Sequence, residues 1–156
     1  METTVSWSGP SADDQGSDMM FVARTGSGHL VAMDGAPADP GSAGNGRNPG
    51  GRNLAPRPME LVLAGTGGCT AYDVVLILRR GRHDVQRCDV TLKAERADSD
   101  PKIFTKIHFH FIVVGRALKH ETVERAIRLS HEKFCSATAM LAKTAALSHS
   151  FEIREA

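Results

Sequence analysis

The segment PMELVLAGTGGCTAYDVVLILRR, Pro58 to Arg80, constrains this chain more than any other. Proline suits the first turn of a helix, and two arginines followed by Gly81 suit its end, so one helix is predicted over 58–80. A helix resting on one sheet needs a single apolar stripe. Here Leu61, Val62, Leu63, Val74, Val75, Ile77 and Leu78 cover more than one stripe. Such a helix must be enclosed, and a chain of 156 residues has one sheet and two further helices to enclose it. A second subunit is the natural cover, with Gly65, Gly67 and Gly68 permitting close backbone approach. An intertwined homodimer is expected.

The flanking segments supply the rest of an α+β fold. Thr3 to Trp7 alternates as a short strand, and Ser8 to Asp18 reads as a polar linker. Met20 to Thr25 and His29 to Asp34 read as two strands joined through Gly26-Ser27-Gly28. Residues 35–58 are rich in Gly, Pro and Asn, carry Arg47, Arg52 and Arg57, and read as a long mobile loop. Cys88 to Ala97 and Phe104 to Val114 alternate as strands. The second would place Phe104, Lys106, His108 and His110 on one face and Thr105, Ile107, Phe109 and Phe111 on the other. Glu121 to Ser130 is an amphipathic helix, CSATAMLAKTAAL from Cys135 a further helical run, and Ser150 to Arg154 a closing strand. Strands, helix, strands, helices and strand in this order imply one domain over 1–156 with largely antiparallel sheet.

Charge narrows the functional classes. Nineteen basic and eighteen acidic side chains leave a formal charge of +1, without the concentrated positive charge that nucleic acids or membrane surfaces require. The opening METTVSWSGPSADDQG has no basic region followed by an apolar run, so no signal peptide is expected. Asp73 and three glycines interrupt the apolar stretch Leu61 to Leu78, which argues against a membrane span. The chain reads as cytoplasmic.

Cys69, Cys88 and Cys135 are an odd number at wide spacings, neither a disulfide framework nor a close zinc-ligand pair. Such cysteines serve either as small buried hydrophobes or as a nucleophile with a distant partner. Cys88, at a strand edge, reads as structural. Asp73 follows Cys69 by four residues and shares its helical face, where a carboxylate raises a thiol's pKa unless it is paired. A salt bridge across the subunit interface, or a hydrogen bond to a neighbouring backbone group, is expected for it. His108 and His110 have a spacing that can bind zinc, but no third ligand accompanies them, and no metal or cofactor is expected. The run GTGG lacks the Gly-Lys-Ser/Thr continuation of a phosphate loop.

Taken together, VSW, SGHLVAMDG, PMELVL with Cys69 and then Asp73-Val74-Val75, FTKIHFHFIVVGR and EKFCSATAMLAK resemble the OsmC/Ohr family, most closely its YhfA-like branch. The resemblance runs nearly the whole length. It implies an interlocked homodimer in which antiparallel sheets wrap long central helices. It also implies a thiol-dependent peroxidase that reduces organic hydroperoxides, with both active-site cysteines at the subunit interface. By position Cys69 would be the peroxidatic thiol and Cys135 the resolving one. The peroxidases of the family activate the thiolate with an arginine, held by a glutamate directly after the helix-starting proline. Met59 stands at that position here and Glu60 follows it, and Arg57, Arg52 and Arg47 are the available arginines, with Arg57 nearest the helix.

The implied chemistry needs a thiolate, a second thiol to convert the sulfenic acid into a disulfide, and an external dithiol reductant to reset it. Two other readings stay open. One is a non-enzymatic dimeric module binding a lipophilic small molecule, with the cysteines as packing. The other is a thiol–disulfide redox regulator acting on proteins. Glu60 equally suits a role in the first turn of its helix.

Overall fold

A computed structural model of the chain describes residues 1–9, 19–37 and 50–156. Most of the linker read at 8–18, and the part of the 35–58 loop that carries Arg47, lie outside the described residues. Two compact units divide the chain at Val62.

In the first unit, β1 (Thr3–Trp7), β2 (Phe21–Thr25) and β3 (Leu30–Met33) form an antiparallel sheet in chain order. The β2–β3 turn has Gly28 at φ 86°, where glycine is favoured. β1 is exposed along its whole length, Val5 and Trp7 included. Beyond β3 the chain is organised by Asp34, a carboxyl only 2% exposed. Its oxygens accept the backbone N–H groups of Gly35 (2.7 Å), Arg52 (3.1 Å) and Leu54 (2.9 Å), and its own N–H donates to the Pro56 carbonyl (3.1 Å). Asn53 takes φ 57° inside this clasp, a conformation asparagine tolerates. One acidic side chain thus fixes the residues leading into the long helix.

The Leu54 N–H, followed by those of Gly35 and Arg52 and by the Arg52 charge, holds the Asp34 carboxyl below its ordinary value of 3.8 against the opposing effect of burial. A depressed folded pKa means this stabilisation is complete above the unfolded value and is lost as pH falls through the lower folded one. Asp34→Asn should cost about 1.5–3 kcal/mol at pH 7, the range for hydrogen bonds to a charged group. Urea denaturation should show wild type and variant converging as the pH drops below 3.8. An undiminished gap at acid pH would exclude the carboxylate as its source.

The long helix, α1, spans Pro58–Arg80, the range predicted. The Arg57 N–H donates to Glu60 Oε2 at 2.9 Å, the back-bond of a capping box. At the other end Arg82 takes φ 59°, and the Arg82 and His83 N–H groups close on the carbonyls of Arg79 and Leu78. This is a Schellman motif whose left-handed residue is Arg82, not Gly81. Within one chain α1 buries one stripe: Thr66, Gly67, Thr70, Val74 and Leu78. Val62 and Tyr72 are exposed. A methyl group at Gly67 would stand 2.7 Å from Leu92 Cδ1, so this glycine lets the helix approach β4 of its own chain. Gly65 and Gly68 face open space.

The second sheet has the order β4–β5–β6, with β4 Asp84–Arg96, β5 Phe104–Arg116 and β6 Ala146–Glu155. The expectation of antiparallel sheets fails for one pair here: β5 and β6 run parallel, Lys106 to Gly115 beside Ala146 to Glu155. The reason is topological, because the chain returns through helices and a crossover delivers the next strand parallel. The second helical run is also shorter than expected. α3 stops at Leu141, since pairing with β5 draws Ala146 onward into strand despite the alanine-rich sequence. Phe104 is buried with Ile107, Phe109, Phe111 and Val113, not exposed with Lys106. A register shift pairs Phe104 with Arg96 and Lys106 with Glu95, making Thr105 an extra residue that reverses the alternation.

Between β5 and β6 the chain forms α2 (His120–Leu129), a π-helical turn (Ser130–Phe134) and α3 (Ser136–Leu141). α2 buries Val123, Ala126 and Ile127, as its pattern predicts.

Candidate functional site

The site grows from two local features of the second unit. On α1, Cys69 and Asp73 are one turn apart and face the same way. After α2 the helix widens into the π turn, where the Cys135 N–H reaches back to the Ser130 carbonyl at 2.8 Å. Such widened turns recur at functional sites because they re-aim the following residue. That residue is Cys135, held at φ −76° and ψ 103° as the N-cap of α3. Its sulfur accepts the Thr138 N–H at 3.5 Å, and Thr138 Oγ1 donates to the Cys135 carbonyl at 2.9 Å.

These elements bring together cysteines far apart in sequence. The sulfurs of Cys69 and Cys135 and a carboxylate oxygen of Asp73 all lie within 4.8 Å of one another. The meeting takes place between residues of a single chain. Cys69 is half-buried and Cys135 only 2% exposed. Burial, then the hydrogen-bonding contact with Cys69, raises the Cys135 pKa, and the Thr138 hydrogen bonds offset this only in part. Cys135 is therefore a protonated thiol at neutral pH.

Among the described residues Asp73 is bonded to a side chain and not to a neighbouring backbone group, one of the two roles expected of it. Ser130 Oγ donates to Asp73 Oδ2 at 3.0 Å. Since a serine has one hydroxyl proton, the 2.9 Å contact between Thr70 Oγ1 and Ser130 Oγ must have Thr70 donating. The relay Thr70 to Ser130 to Asp73 is buried at its first two members and fixes the carboxylate beside the thiols. Of its members, sequence reasoning found only Asp73. The i, i+4 spacing from Cys69 was its sole signal, because Ser130 and Thr70 have no local pattern.

The other candidates have contacts of their own. Arg57 and Glu60 sit together at the start of α1 in the first unit, with the Glu60 carboxylate taken up by the Arg57 backbone. Arg52 serves Asp34 through its N–H. Cys88 lies half-buried in β4, its pKa pushed up to about 11 by burial and by Asp89. His108 and His110 form a ladder with β6: His108 contacts Ser148 and Ser150, and His110 contacts Ser150, each at 2.9 Å. Gly67 and Gly68 lie within α1, so GTGG is helix and not a phosphate loop.

Two sheets, a long apolar helix and two cysteine sulfurs within 4.8 Å of each other define an α+β protein with a pair of adjoining thiols, and comparison with known proteins gives it a place. The family of OsmC-like proteins matches residues 50–150. The protein YhfA of Escherichia coli strain K12 is 44% identical over 135 residues, 86% of this chain and 90% of that protein. The chain belongs to the OsmC family. Among solved structures, a hypothetical protein of Aquifex aeolicus VF5 aligns over 99% of this chain and 96% of its own, with 27% identity and TM-score 0.76. The organic hydroperoxide resistance protein OhrB of Bacillus subtilis shares the fold, covering 97% of this chain and 98% of its own at 15% identity and TM-score 0.55. A protein of Legionella pneumophila described as an organic hydroperoxide resistance protein OsmC, predicted redox protein, also shares the fold, covering 97% of this chain and 97% of its own at 15% identity and TM-score 0.61. α1 is long and apolar enough to cross a membrane, but in this family it is the core helix of a soluble fold.

Proposed function

We propose that the protein is a cytoplasmic thiol-dependent peroxidase that reduces organic hydroperoxides, working as a homodimer. The observation that carries this reading is the approach of a half-buried thiol and a fully buried one to within 4.8 Å. Cys69, the less buried of the two, is the thiol a peroxide can reach. Its thiolate attacks the O–O bond, forming an S–O bond and releasing the alkoxide, which leaves as the alcohol once protonated. The buried Cys135 then attacks the sulfenic sulfur. An S–S bond forms, the S–O bond breaks, and the Cys135 proton leaves with the hydroxyl as water. Asp73, close to both sulfurs, is the base that carries that proton. An external dithiol reduces the disulfide by exchange.

The homodimer is supported by what one chain leaves uncovered. Tyr72 on α1, Phe134 in the π turn and Met140 on α3 are half or more exposed, as are Val5 and Trp7 on β1. Large apolar side chains left uncovered on each unit are what a partner surface would bury. Arg57 and Glu60 remain weaker candidates for the thiolate-activating pair.

Mass spectrometry after one equivalent of cumene hydroperoxide should find a Cys69–Cys135 disulfide within single chains. Its absence, with no sulfenic acid trapped at Cys69, would overturn the reading. One observation favours a non-enzymatic alternative, a dimeric module for a lipophilic ligand or a redox regulator: Met59 replaces the family's glutamate, and Glu60 is engaged at the helix start. That alternative requires a co-purifying ligand or a protein thiol partner, and peroxide consumption no faster than buffer.

A further inference from the structure

We infer that the reduced cluster of Cys69, Asp73 and Cys135 is a binding site for a borderline or soft divalent cation of the Zn²⁺ class. Three donors, two sulfurs and one carboxylate oxygen, converge within 4.8 Å. Tetrahedral zinc with these ligands needs donor separations of roughly 3.6–3.8 Å, reached by side-chain motion of about 1 Å. A set of two sulfurs and one oxygen selects zinc-like ions over magnesium or calcium, which take oxygen ligands.

Charge points the same way. A carboxylate beside two thiols opposes their ionisation, which suits neither thiol by itself. The ion pairs among the described residues involve Arg87, Lys106, Arg116 and Arg154, none of them with Asp73. A divalent cation makes two thiolates and a carboxylate mutually favourable, because binding drives off the thiol protons.

The surroundings are those of a built site. Ser130 Oγ–H fixes Asp73, with Thr70 behind it, and the Thr138 N–H fixes the Cys135 sulfur. Hydrogen bonds of this kind orient metal ligands. Cys69 and Asp73 are half-buried, which gives an ion a path inward and leaves the fourth position to water. Sequence spacing hides the site, because the third ligand comes from another element. The proposal uses the same sulfurs as the peroxidase reading without depending on it. A cation and a disulfide need the same sulfur lone pairs, so each excludes the other.

The test uses the full-length protein, fully reduced, with Co²⁺ as a spectroscopic probe and Zn²⁺ measured by competition with a chromophoric chelator. One equivalent should bind, giving a thiolate-to-cobalt charge-transfer band. Cys135→Ser should remove most of the band. Asp73→Asn should weaken Zn²⁺ at least as much as the roughly 10–100-fold typical of losing an orienting partner. Cys88→Ser should change neither. Cadmium-113 NMR of the unaltered protein needs no variant to fold, and its shift should report two sulfur donors. A shift typical of oxygen and nitrogen ligands, no charge-transfer band, or binding that depends on Cys88 would overturn the site. Metal binding without hydroperoxide reduction would sink the peroxidase reading alone, and the converse would sink only this one.

Discussion

Cys69→Ser should bring organic hydroperoxide consumption down to the uncatalysed rate, whereas Cys135→Ser should keep one turnover and then stall. The asymmetry follows from position. Cys69 is the half-buried thiol of the pair, while Cys135 is 2% exposed and its pKa is raised by burial and by Cys69. A buried protonated thiol cannot open the reaction, but it can close it once a sulfenic sulfur stands beside it. In Cys135→Ser that sulfenic acid has no partner within reach, so a dimedone adduct should accumulate at Cys69 and excess peroxide should drive it to the sulfinic acid. Cys88→Ser should retain full turnover, since Cys88 lies in β4 with its pKa pushed up to about 11. Equal losses at positions 69 and 135, or a dimedone adduct at Cys88, would reverse the assignment of roles.

How much of this was legible beforehand depended on whether the signal was local. α1 was readable to the residue because Pro58, the apolar run and Arg79–Arg80 mark it without outside help. The meeting of Cys69 and Cys135 came from resemblance to a family, and nothing in the spacing alone requires it. What could not be read were features created by one segment acting on another. Parallel pairing with β5 converts Ala146 and Leu147 from apparent helix to strand, and the extra residue at Thr105 turns Phe104 inward. The sequence reads Asp34 as the end of a strand, yet its carboxylate gathers N–H groups from residues up to Leu54. Ser130 closed an amphipathic helix in the sequence, and in the structure it links Thr70 to Asp73. Side chains that satisfy distant polar groups have no period and no motif.

The second large effect is expected at Phe109, which is fully buried and whose ring meets His131 edge-on at 4.7 Å and Phe111 at 6.5 Å. Phe109→Ala should cost about 3–5 kcal/mol through lost burial and the cavity left behind. For a chain of this length that lowers Tm by roughly 10 °C. The consequence reaches the thiols, because His131 belongs to the π turn that ends where Cys135 begins. His131 is neutral at pH 7. Burial, and secondarily the charge of His149, lowers its pKa to about 4, and its buried Nε2 has no hydrogen-bond partner among the described residues. As pH falls below 6.5 the unfolded chain takes up a proton that the folded chain refuses until about 4, so this group lowers stability across that window. A cavity beside the imidazole admits water, gives Nε2 a partner and lessens the desolvation. Titration of the imidazole proton resonances should therefore show the His131 pKa rising toward 6.5 in Phe109→Ala, with weaker acid sensitivity. Disulfide formation should slow in the same variant as the turn carrying Cys135 loosens. An unchanged His131 titration alongside the stability loss would mean that the turn rests on other supports, and that Phe109 holds the sheet without holding the site.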